Sequence, residues 1–311
     1  MIWLRIRLAM KSPVATPWQA DTIWGHLAWG LRYTRGEAAL NPFLKRYRDG
    51  QPPLLVSDGF PGDLLPRPLA PGRQPDTTKP LAEQVEAFGA ARQRRRPAYV
   101  TADSFSAYLR GEEPAGTAEP PTGWGWRSVL KNQVSRTVAT AGAEGGTLYS
   151  MDELWWPEVR IYALVDEGFV DETRTLFEHL AVEGYGKRRS AGYGAVHSLD
   201  VAQFSGFDSP ADANGFVSLS SFVPGADDPT NGFWQVSVKY GRLGEEYAYG
   251  PNPFKRPLLM LAAGSAFYDS PVRPFYGTLV EGVSPAHPEV VHYGFALPVG
   301  AKLPTEGAEE G

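Results

Sequence analysis

The sequence predicts an α+β fold with two similar units, and three observations lead to this prediction. Residues 2–10 alternate between large apolar side chains and other ones, which indicates a half-buried strand. Directly afterwards, the four-residue spacing of Ile23, Leu27 and Leu31 predicts an amphipathic helix. Strand, helix and strand patterns recur later in the chain, at 158–165, 171–182 and 196–201. A strand followed at once by such a helix opens the β-α-β-β-α-β order, so we predict two ferredoxin-like (RRM-like) units.

With 311 residues, the chain has room for two domains of ordinary size. We predict an N-terminal ferredoxin-like domain at 1–203, a C-terminal ferredoxin-like domain at 204–304 and a disordered tail at 305–311. Further N-terminal elements are predicted as a helix at 37–50, a short strand at 54–56, an irregular loop at 61–80, a helix at 81–96, a flexible insertion at 111–123 and a long β-hairpin with a mobile tip at 129–156. C-terminal strands are predicted at 216–222, 233–240, 254–268, 277–283 and 290–297.

Composition excludes several classes of protein. The absence of cysteine rules out disulfides, thiolate metal sites and cysteine nucleophiles, and it fits a reducing cytoplasm. Arg5 and Arg7 interrupt the apolar run at the N-terminus, which therefore predicts neither a signal peptide nor a membrane span. Because the net charge is −5, any contact with nucleic acid must come from a local basic patch.

The most informative stretch lies between the helix at 171–182 and the strand that follows it. Glycine lets a backbone approach a ligand closely, turns rich in N–H groups bind anions, and Lys and Arg bind phosphate. Two tyrosines in the stretch offer faces on which a base could stack. We therefore predict that this stretch, called the glycine loop below, holds an RNA backbone. Its candidate contact residues are Gly184, Tyr185, Gly186, Lys187, Arg188, Arg189, Ser190, Gly192, Tyr193 and Gly194.

The glycine loop matches neither of the common nucleotide-binding fingerprints. In a Walker A loop the Gly-Lys pair is followed by Ser or Thr, but here Arg188 follows Lys187. The dinucleotide pattern G-x-G-x-x-G needs a third glycine where this chain has Arg189. Both fingerprints also join a strand to a helix, whereas this loop joins a helix to a strand. We therefore expect no cofactor; the alternative interpretation of the loop is a basic helix-to-strand connection without a ligand.

A second basic cluster ends the predicted helix at 81–96. Its members are Arg92, Arg94, Arg95 and Arg96. Because cations are favoured at the C-terminal end of a helix, we interpret the cluster as a solvated helix end. A second phosphate contact is the alternative.

A nuclease is the main catalytic alternative, because histidine can act as an acid or base in RNA cleavage. The chain has five histidines, and His26 lies on the first predicted helix. No second histidine is near it in sequence, and no spacing of histidines or carboxylates suggests a metal site. We therefore predict no catalytic residue, no metal and no enzymatic activity. A generic RRM module is a third alternative, although no strand carries the aromatic string that RRMs present on their sheet.

Four groups of short motifs occur in order along the chain. They are D-T-I-W-G at 21–25, V-S-R-T at 134–137 with E-G-G-T-L-Y at 144–149, the pattern G-x-G-x-x-R-S-x-G-x-G at 184–194, and the segments 255–257, 264–265 and 292–295. Together they resemble the RAMP superfamily of CRISPR proteins and, within it, the handle-capping subunit of the type III-A (Csm) interference complex. Ala20 and Ser135 depart from that subunit's pattern, which often has Ser and Asp there.

This resemblance implies a non-catalytic scaffold that binds the repeat-derived 5′ handle of the crRNA. It also implies two protein partners, the large polymerase-like subunit and the first backbone RAMP subunit. Carried onto this chain, the glycine loop would line the handle, with its three cations on phosphates. The remaining RNA-binding candidates are Lys131, Asn132 and Arg136 at the hairpin, and Asp21, Thr22 and His26 at the helix start. The alternatives are a RAMP endoribonuclease that processes repeat RNA and the equivalent subunit of a type III-B or III-D complex.

Overall fold

The computed structural model describes residues 1–70, 80, 83, 98–112, 117–132, 148–250 and 252–304. The α-helices bounded within these ranges are α1 (Ala20–Arg35), α2 (Glu37–Arg48), α3 (Ala102–Leu109) and α4 (Val170–Glu183). Strands of the N-terminal half are β1 (Ile2–Met10), β2 (Leu54–Val56), β3 (Phe60–Pro61), β4 (Leu65–Pro66), β5 (Tyr99–Val100), β6 (Gly125–Asn132), β7 (Leu148–Trp155), β8 (Glu158–Val165) and β9 (Val196–Phe204). Strands of the C-terminal half are β10 (Gly215–Ser218), β11 (Gly232–Phe233), β12 (Val236–Lys239), β13 (Leu258–Leu261), β14 (Ala266–Tyr268), β15 (Tyr276–Val280), β16 (His292–Ala296) and β17 (Pro298–Ala301).

The main N-terminal sheet is antiparallel and has the order β2-β8-β1-β9, with β3 also paired to β8. In its centre, Ile6 lies opposite Ile161 of β8 and Val201 of β9. Leu4, Ile6 and Leu8 are fully buried, as the alternating pattern of β1 predicts. Helices α1 and α4 pack against each other, and the chain visits β1, α1, β2, β8, α4 and β9 in that order. The predicted mixture of helices and antiparallel sheets is therefore confirmed.

The C-terminal half differs from its prediction. Its strands form a four-stranded sheet of order β11-β14-β10-β17 and two separate ribbons, β12–β13 and β15–β16. Between residues 204 and 304, the described positions contain no α-helix and a single 3-10 turn, Glu245–Tyr249. The two helices that a second β-α-β-β-α-β unit needs are therefore missing from these positions.

Helices of the N-terminal half cover the C-terminal strands instead. Trp24 of α1 stacks on Tyr293 of β16 with ring centroids 5.4 Å apart, and Tyr47 of α2 lies 5.5 Å from the Phe295 ring. One buried core contains residues of both halves, so apolar burial is continuous across the predicted boundary at residue 203. This shared layer is the physical reason why the C-terminal strands fold without helices of their own.

A buried carboxylate also joins the two halves. Asp58 accepts hydrogen bonds from the Ala20 N–H at the start of α1 (2.8 Å) and from the N–H (2.9 Å) and hydroxyl (2.7 Å) of Ser221. Burial raises the pKa of Asp58 to about 6, even though these donors favour the charged form. The cap of α1 thus comes from a residue that is distant in sequence.

One helix was not predicted, and several predictions fall outside the described residues. Helix α3 begins after Thr101, whose hydroxyl accepts from the Ser104 N–H at 3.3 Å. The predictions outside the described residues concern the helix at 81–96 (apart from residue 83) with its arginines, residues 71–79 of the irregular loop, residues 113–116 of the insertion, the hairpin tip at 133–147 with Arg136, and the tail at 305–311.

Candidate nucleic-acid interface

The glycine loop leaves α4 at Gly184 and is closed by its own backbone. The Gly184 N–H donates to Leu180 O at 2.8 Å, and the Tyr185 N–H donates to Gly194 O at 2.9 Å. The loop also packs on the segment that joins β1 to α1, because the Gly194 N–H donates to Pro13 O at 2.8 Å. A short 3-10 turn, Arg189–Ala191, forms its exposed tip. The loop therefore has a fixed shape before any ligand binds.

Two glycines are required by close packing. Gly194 has a φ of 69°, and a Cβ there would collide with the backbone carbonyl of Tyr185. Gly186 has a φ of 77°, and its Cβ would lie 2.9 Å from the Thr16 side chain. Both positions combine left-handed backbone geometry with a neighbour that leaves no room for a side chain. Glycine at these sites therefore serves the packing of the loop onto the chain beneath it.

Both tyrosines of the loop are buried, which corrects their prediction as base-stacking surfaces. Tyr185 is fully buried and stacks on Trp18 with centroids 3.7 Å apart, and its hydroxyl donates to Pro17 O at 2.6 Å. Burial raises the pKa of Tyr185 well above its ordinary value. The Tyr193 hydroxyl donates to Glu153 of β7 at 2.8 Å. Aromatic faces are apolar, so both rings fill the layer under the loop instead of facing solvent.

The three cations of the loop have different surroundings. Lys187 and Arg188 are exposed, and the Lys187 N–H donates to the Thr16 hydroxyl at 3.0 Å. Arg188 has a left-handed φ of 65°, and its guanidinium lies 5.7 Å from the Tyr149 ring. Arg189 instead forms an ion pair with Glu245 of the C-terminal half. Of the three predicted phosphate contacts, Lys187 and Arg188 are thus the exposed ones, and the Arg189 guanidinium ties the loop to the C-terminal half.

Part of the predicted hairpin lies beside the loop. Strands β6 and β7 pair along their whole length, and Lys131 Nζ lies 5.4 Å from the centre of the Tyr193 ring. Ala15, Met151 and Tyr193 form a small buried cluster between the hairpin and the loop. Asn132 is exposed at the end of β6, and Arg136 lies beyond the described residues. The structure therefore brings Lys131 beside the loop that carries Lys187 and Arg188.

His26 is a structural acceptor in this arrangement. Its Nε2 accepts the Gly186 N–H at 2.9 Å, so this nitrogen carries no proton. Burial, together with the charge of Arg189 and the nearby His179, lowers the pKa of His26 to about 3. A neutral imidazole whose free lone pair already holds a backbone N–H has no nitrogen left to act as a base.

Asp21 does not face a groove, contrary to its prediction as an RNA contact. Its side chain is only 7% exposed and lies 3.0 Å from the Lys239 ammonium. Thr22 joins the same cluster, since its hydroxyl lies 3.2 Å from Lys239 Nζ. Burial is the largest influence and opposes the charged form, but the charges of Lys239, His292 and Lys255 and the Lys239 hydrogen bond together outweigh it, so the pKa of Asp21 lies below its ordinary value. The motif at 21–25 therefore joins the two halves of the chain.

The sheet surface that an RRM uses for RNA is partly closed here. Tyr162 on β8 and Trp3 on β1 pack against Phe207, with centroids 5.0 and 5.5 Å apart. Phe105 of α3 covers Phe207 in turn, at 5.6 Å. These aromatics are held in an edge-on cluster, so they offer no open face to a base. This closed surface disfavours the RRM alternative.

Sequence reasoning missed three residues that shape the interface. Thr16 holds the Lys187 N–H, Tyr149 contacts Arg188, and Lys239 fixes the start of α1. Tyr149 belongs to the motif at 144–149, so that motif could have identified it from the sequence. Thr16 and Lys239 carry no local pattern, because their partners are distant in the chain.

Membrane-spanning helices and clusters of metal ligands are both absent from the part of the chain that the structure describes. No helix there is long and apolar enough to cross a bilayer. The same residues contain no group of three or more His, Asp or Glu side chains placed to hold a metal ion.

Comparison with known proteins finds solved structures that share the fold of this chain. No protein-family model and no curated protein matches the sequence. A chain in the crystal structure of a Csm1–Csm4 cassette in complex with pppApA aligns over 99% of this chain and 100% of its own length, with a TM-score of 0.64 and 19% identity. A chain of the Csm3–Csm4 subcomplex of a type III-A CRISPR-Cas interference complex aligns over 96% and 99%, with a TM-score of 0.62 and 12% identity.

Csm4 is the subunit that these two assemblies have in common. A chain of the type III-B Cmr-beta complex, bound to cognate target RNA and AMPPnP, also aligns over 86% of each chain, with a TM-score of 0.50 and 12% identity. This chain thus has the fold of Csm4-like subunits of type III CRISPR complexes. The resemblance predicted from the motifs is confirmed at the level of the fold.

Proposed function

We propose that this chain is a non-catalytic RNA-binding subunit of a type III CRISPR interference complex and holds the 5′ handle of the crRNA. One observation carries the proposal: the exposed cations Lys187 and Arg188 of the glycine loop lie beside the half-exposed Lys131 of β6, and the loop backbone is fixed by its own hydrogen bonds. Cations on a rigid frame bind phosphates without a large ordering cost. In this role the chain works in the cytoplasm, where the guide RNA is.

The partners follow from the shared fold. The Csm4-like neighbours are held in assemblies with Csm1 and with Csm3. We propose that this chain likewise docks on a large subunit and abuts a backbone RAMP subunit. The N-terminal order β1-α1-β2-β8-α4-β9, with the sheet order β2-β8-β1-β9, supports a ferredoxin-like unit as the RNA-binding half. The domain boundary at residue 203 stays a prediction.

The absence of catalysis is part of the proposal and rests on His26. The hydrogen bond from Gly186 and the low pKa remove this histidine from acid–base chemistry near neutral pH. A processing nuclease built on this fold would need another base close to the loop. His26 therefore supports a scaffold.

The test is to tag the protein in its native host, purify it gently and sequence the bound RNA. We expect short RNAs that share one repeat-derived 5′ end, in the same fraction as a large subunit. The Lys187→Ala/Arg188→Ala variant should carry much less of this RNA, whereas Lys45→Ala, an exposed change on α2, should not. Intact or freshly cut repeat RNA without other subunits would instead identify a processing enzyme.

A further inference from the structure

The ribbon β12–β13 turns an apolar face to solvent. Its outward side chains include Val236, Val238 and Leu259, which are 51%, 48% and 66% exposed. Successive side chains of a strand point to opposite faces, so Met260, which follows Leu259 in β13, is fully buried on the inner side. Among folded proteins, exposed apolar side chains grouped in this way mark a contact surface.

The ribbon is fixed in place. Lys239, on its inner side, donates to the Gln19 side-chain oxygen at 2.7 Å and pairs with Asp21 at 3.0 Å. The Phe222 N–H donates to Leu261 O at 2.9 Å, and the Leu261 N–H donates back to Phe222 O at 2.8 Å. The outer face is therefore presented in one orientation, which lowers the cost of docking.

Aromatic and arginine side chains extend the apolar face beyond the end of β12. Tyr240 and Phe254 are exposed, and the Arg242 guanidinium lies 5.8 Å from the Phe254 ring. Tyr, Phe and Arg are enriched in the contact cores of protein interfaces, whereas Lys and carboxylates are depleted there. The composition of this surface is thus that of an interface.

The two segments that form this surface contain basic side chains and no acidic ones. Residues 232–244 and 252–268 contain no Asp or Glu, although the whole chain carries a net charge of −5. Lys239 and Lys255 of these segments point inward, since Lys255 Nζ donates to Val291 O at 3.1 Å. Arg242, which lies against the Phe254 ring, and Arg256, two residues before β13, are exposed at the end of the ribbon. A complementary surface is therefore apolar in the middle and acidic at its edge.

The composition and charge of this surface distinguish three candidate partners: RNA, a second copy of the chain and a different protein. Tyr240, Phe254 and Arg242 are residue types that RNA also contacts. The aliphatic centre of the surface, Val236, Val238 and Leu259, offers no ring for a base and no charge for a phosphate, so it disfavours RNA. A second copy of the chain would bring the same patch onto itself, and the border arginines would meet arginines without a carboxylate from these segments. A different protein with an acidic border has neither problem.

We propose that the outer face of β12–β13 docks a second protein subunit, which presents an apolar surface bordered by carboxylates. This inference rests on the proposed function, because it identifies the surface through which the chain joins its complex. The ribbon and the glycine loop are then separate surfaces, one for protein and one for RNA. Lys239 connects them through the start of α1.

The test measures binding of the purified chain to the large subunit and to the backbone subunit of the host's type III complex, each alone. We expect Val238→Glu/Leu259→Glu to weaken one of these complexes by at least about tenfold, because it places charge in the apolar centre. Val182→Glu, at an exposed apolar position on α4, is the control and should change binding by less than about twofold. Thermal unfolding checks that each variant is folded.

A charge series and an RNA measurement complete the test. Arg242→Glu/Arg256→Glu should weaken the same complex, whereas Arg242→Lys/Arg256→Lys, which keeps the charge, should weaken it less. Affinity for a 5′-handle RNA oligonucleotide should stay unchanged in all ribbon variants. If the ribbon variants lose RNA and keep the subunit, the surface binds RNA and the inference is wrong. It is also wrong if the wild-type chain is a dimer that these changes dissociate.

The two proposals fail in different ways. If the wild-type chain binds a subunit and the ribbon variants bind it equally well, the docking surface lies elsewhere and the proposed function stands. If the wild-type chain binds neither subunit nor handle RNA, both proposals are overturned.

Discussion

The inner and outer surfaces of the glycine loop contain different kinds of residue, and these residues have different surroundings. On the inner surface, Tyr185 and Tyr193 are buried, and Gly194 contacts the carbonyl of its neighbour across the loop. On the outer surface, Lys187 and Arg188 are exposed. A stretch whose composition suggests RNA contact throughout is thus divided into residues that hold its shape and residues free to bind. The comparison predicts that changes to the two surfaces have separable effects.

The largest effect is expected for Gly194→Ala on the inner surface. Its Cβ collides with the Tyr185 carbonyl at a positive φ, so the loop must shift, at a cost of about 3 kcal/mol or more in the free energy of unfolding. Gly192→Ala is the control, because this residue has a similar φ of 84° but open space around it. It should cost only about 1 kcal/mol. Urea unfolding measures both, and equal losses would contradict the packing role of Gly194.

A smaller loss of folding stability is expected when the pH is lowered and His26 becomes protonated. The folded pKa of about 3 lies below the ordinary value of 6.5, so the unfolded chain binds the proton more readily. The contribution of His26 to stability is therefore complete above pH 6.5 and is lost as the pH falls toward 3. Between pH 6.5 and 5 the loss is about 2 kcal/mol.

His26→Gln tests this because glutamine does not titrate and its side-chain oxygen can accept the Gly186 N–H. We expect a flatter stability profile below pH 6.5, measured by urea unfolding at several pH values. Handle binding at pH 7.5 should stay unchanged. An unaltered acid profile would show that another group dominates the acid sensitivity, and loss of repeat-RNA cleavage in the variant would support a nuclease.

The smallest change in the free energy of unfolding is expected at the outer surface, where the substitutions act on RNA binding instead. Lys187→Ala/Arg188→Ala should weaken handle binding by about tenfold and reduce the slope of log K against log salt by about 1.4, because two phosphate contacts are lost. Stability should stay within about 0.5 kcal/mol of the wild type. Fluorescence anisotropy over a salt series measures both the affinity and the slope.

Tyr193→Phe is the matched inner-surface control for that experiment. It removes the hydrogen bond to Glu153 and should cost about 1 kcal/mol of stability while leaving the salt slope unchanged. If this variant lost RNA affinity as strongly as the cation variant, the two surfaces of the loop would not be separable.

Elements with a strong local pattern could be predicted from the sequence. The alternation in β1 and the four-residue spacing in α1 report burial on one face, and both elements form where the patterns place them. The C-terminal half was harder, because its strands are short and the helices that cover them, α1 and α2, belong to the other half. A local pattern shows that a strand needs an apolar partner, but it does not show which element supplies one.

The same division applies to the candidate interface. The sequence by itself determined that glycines, cations and tyrosines meet in one helix-to-strand loop, and that the chain resembles a RAMP protein. Tertiary structure alone decided that Tyr185 stacks on Trp18, that His26 accepts from Gly186, 160 positions away, and that Lys187 and Arg188 stay exposed. The physical reason is that burial and hydrogen bonding depend on neighbours in space, and these neighbours are distant in the chain.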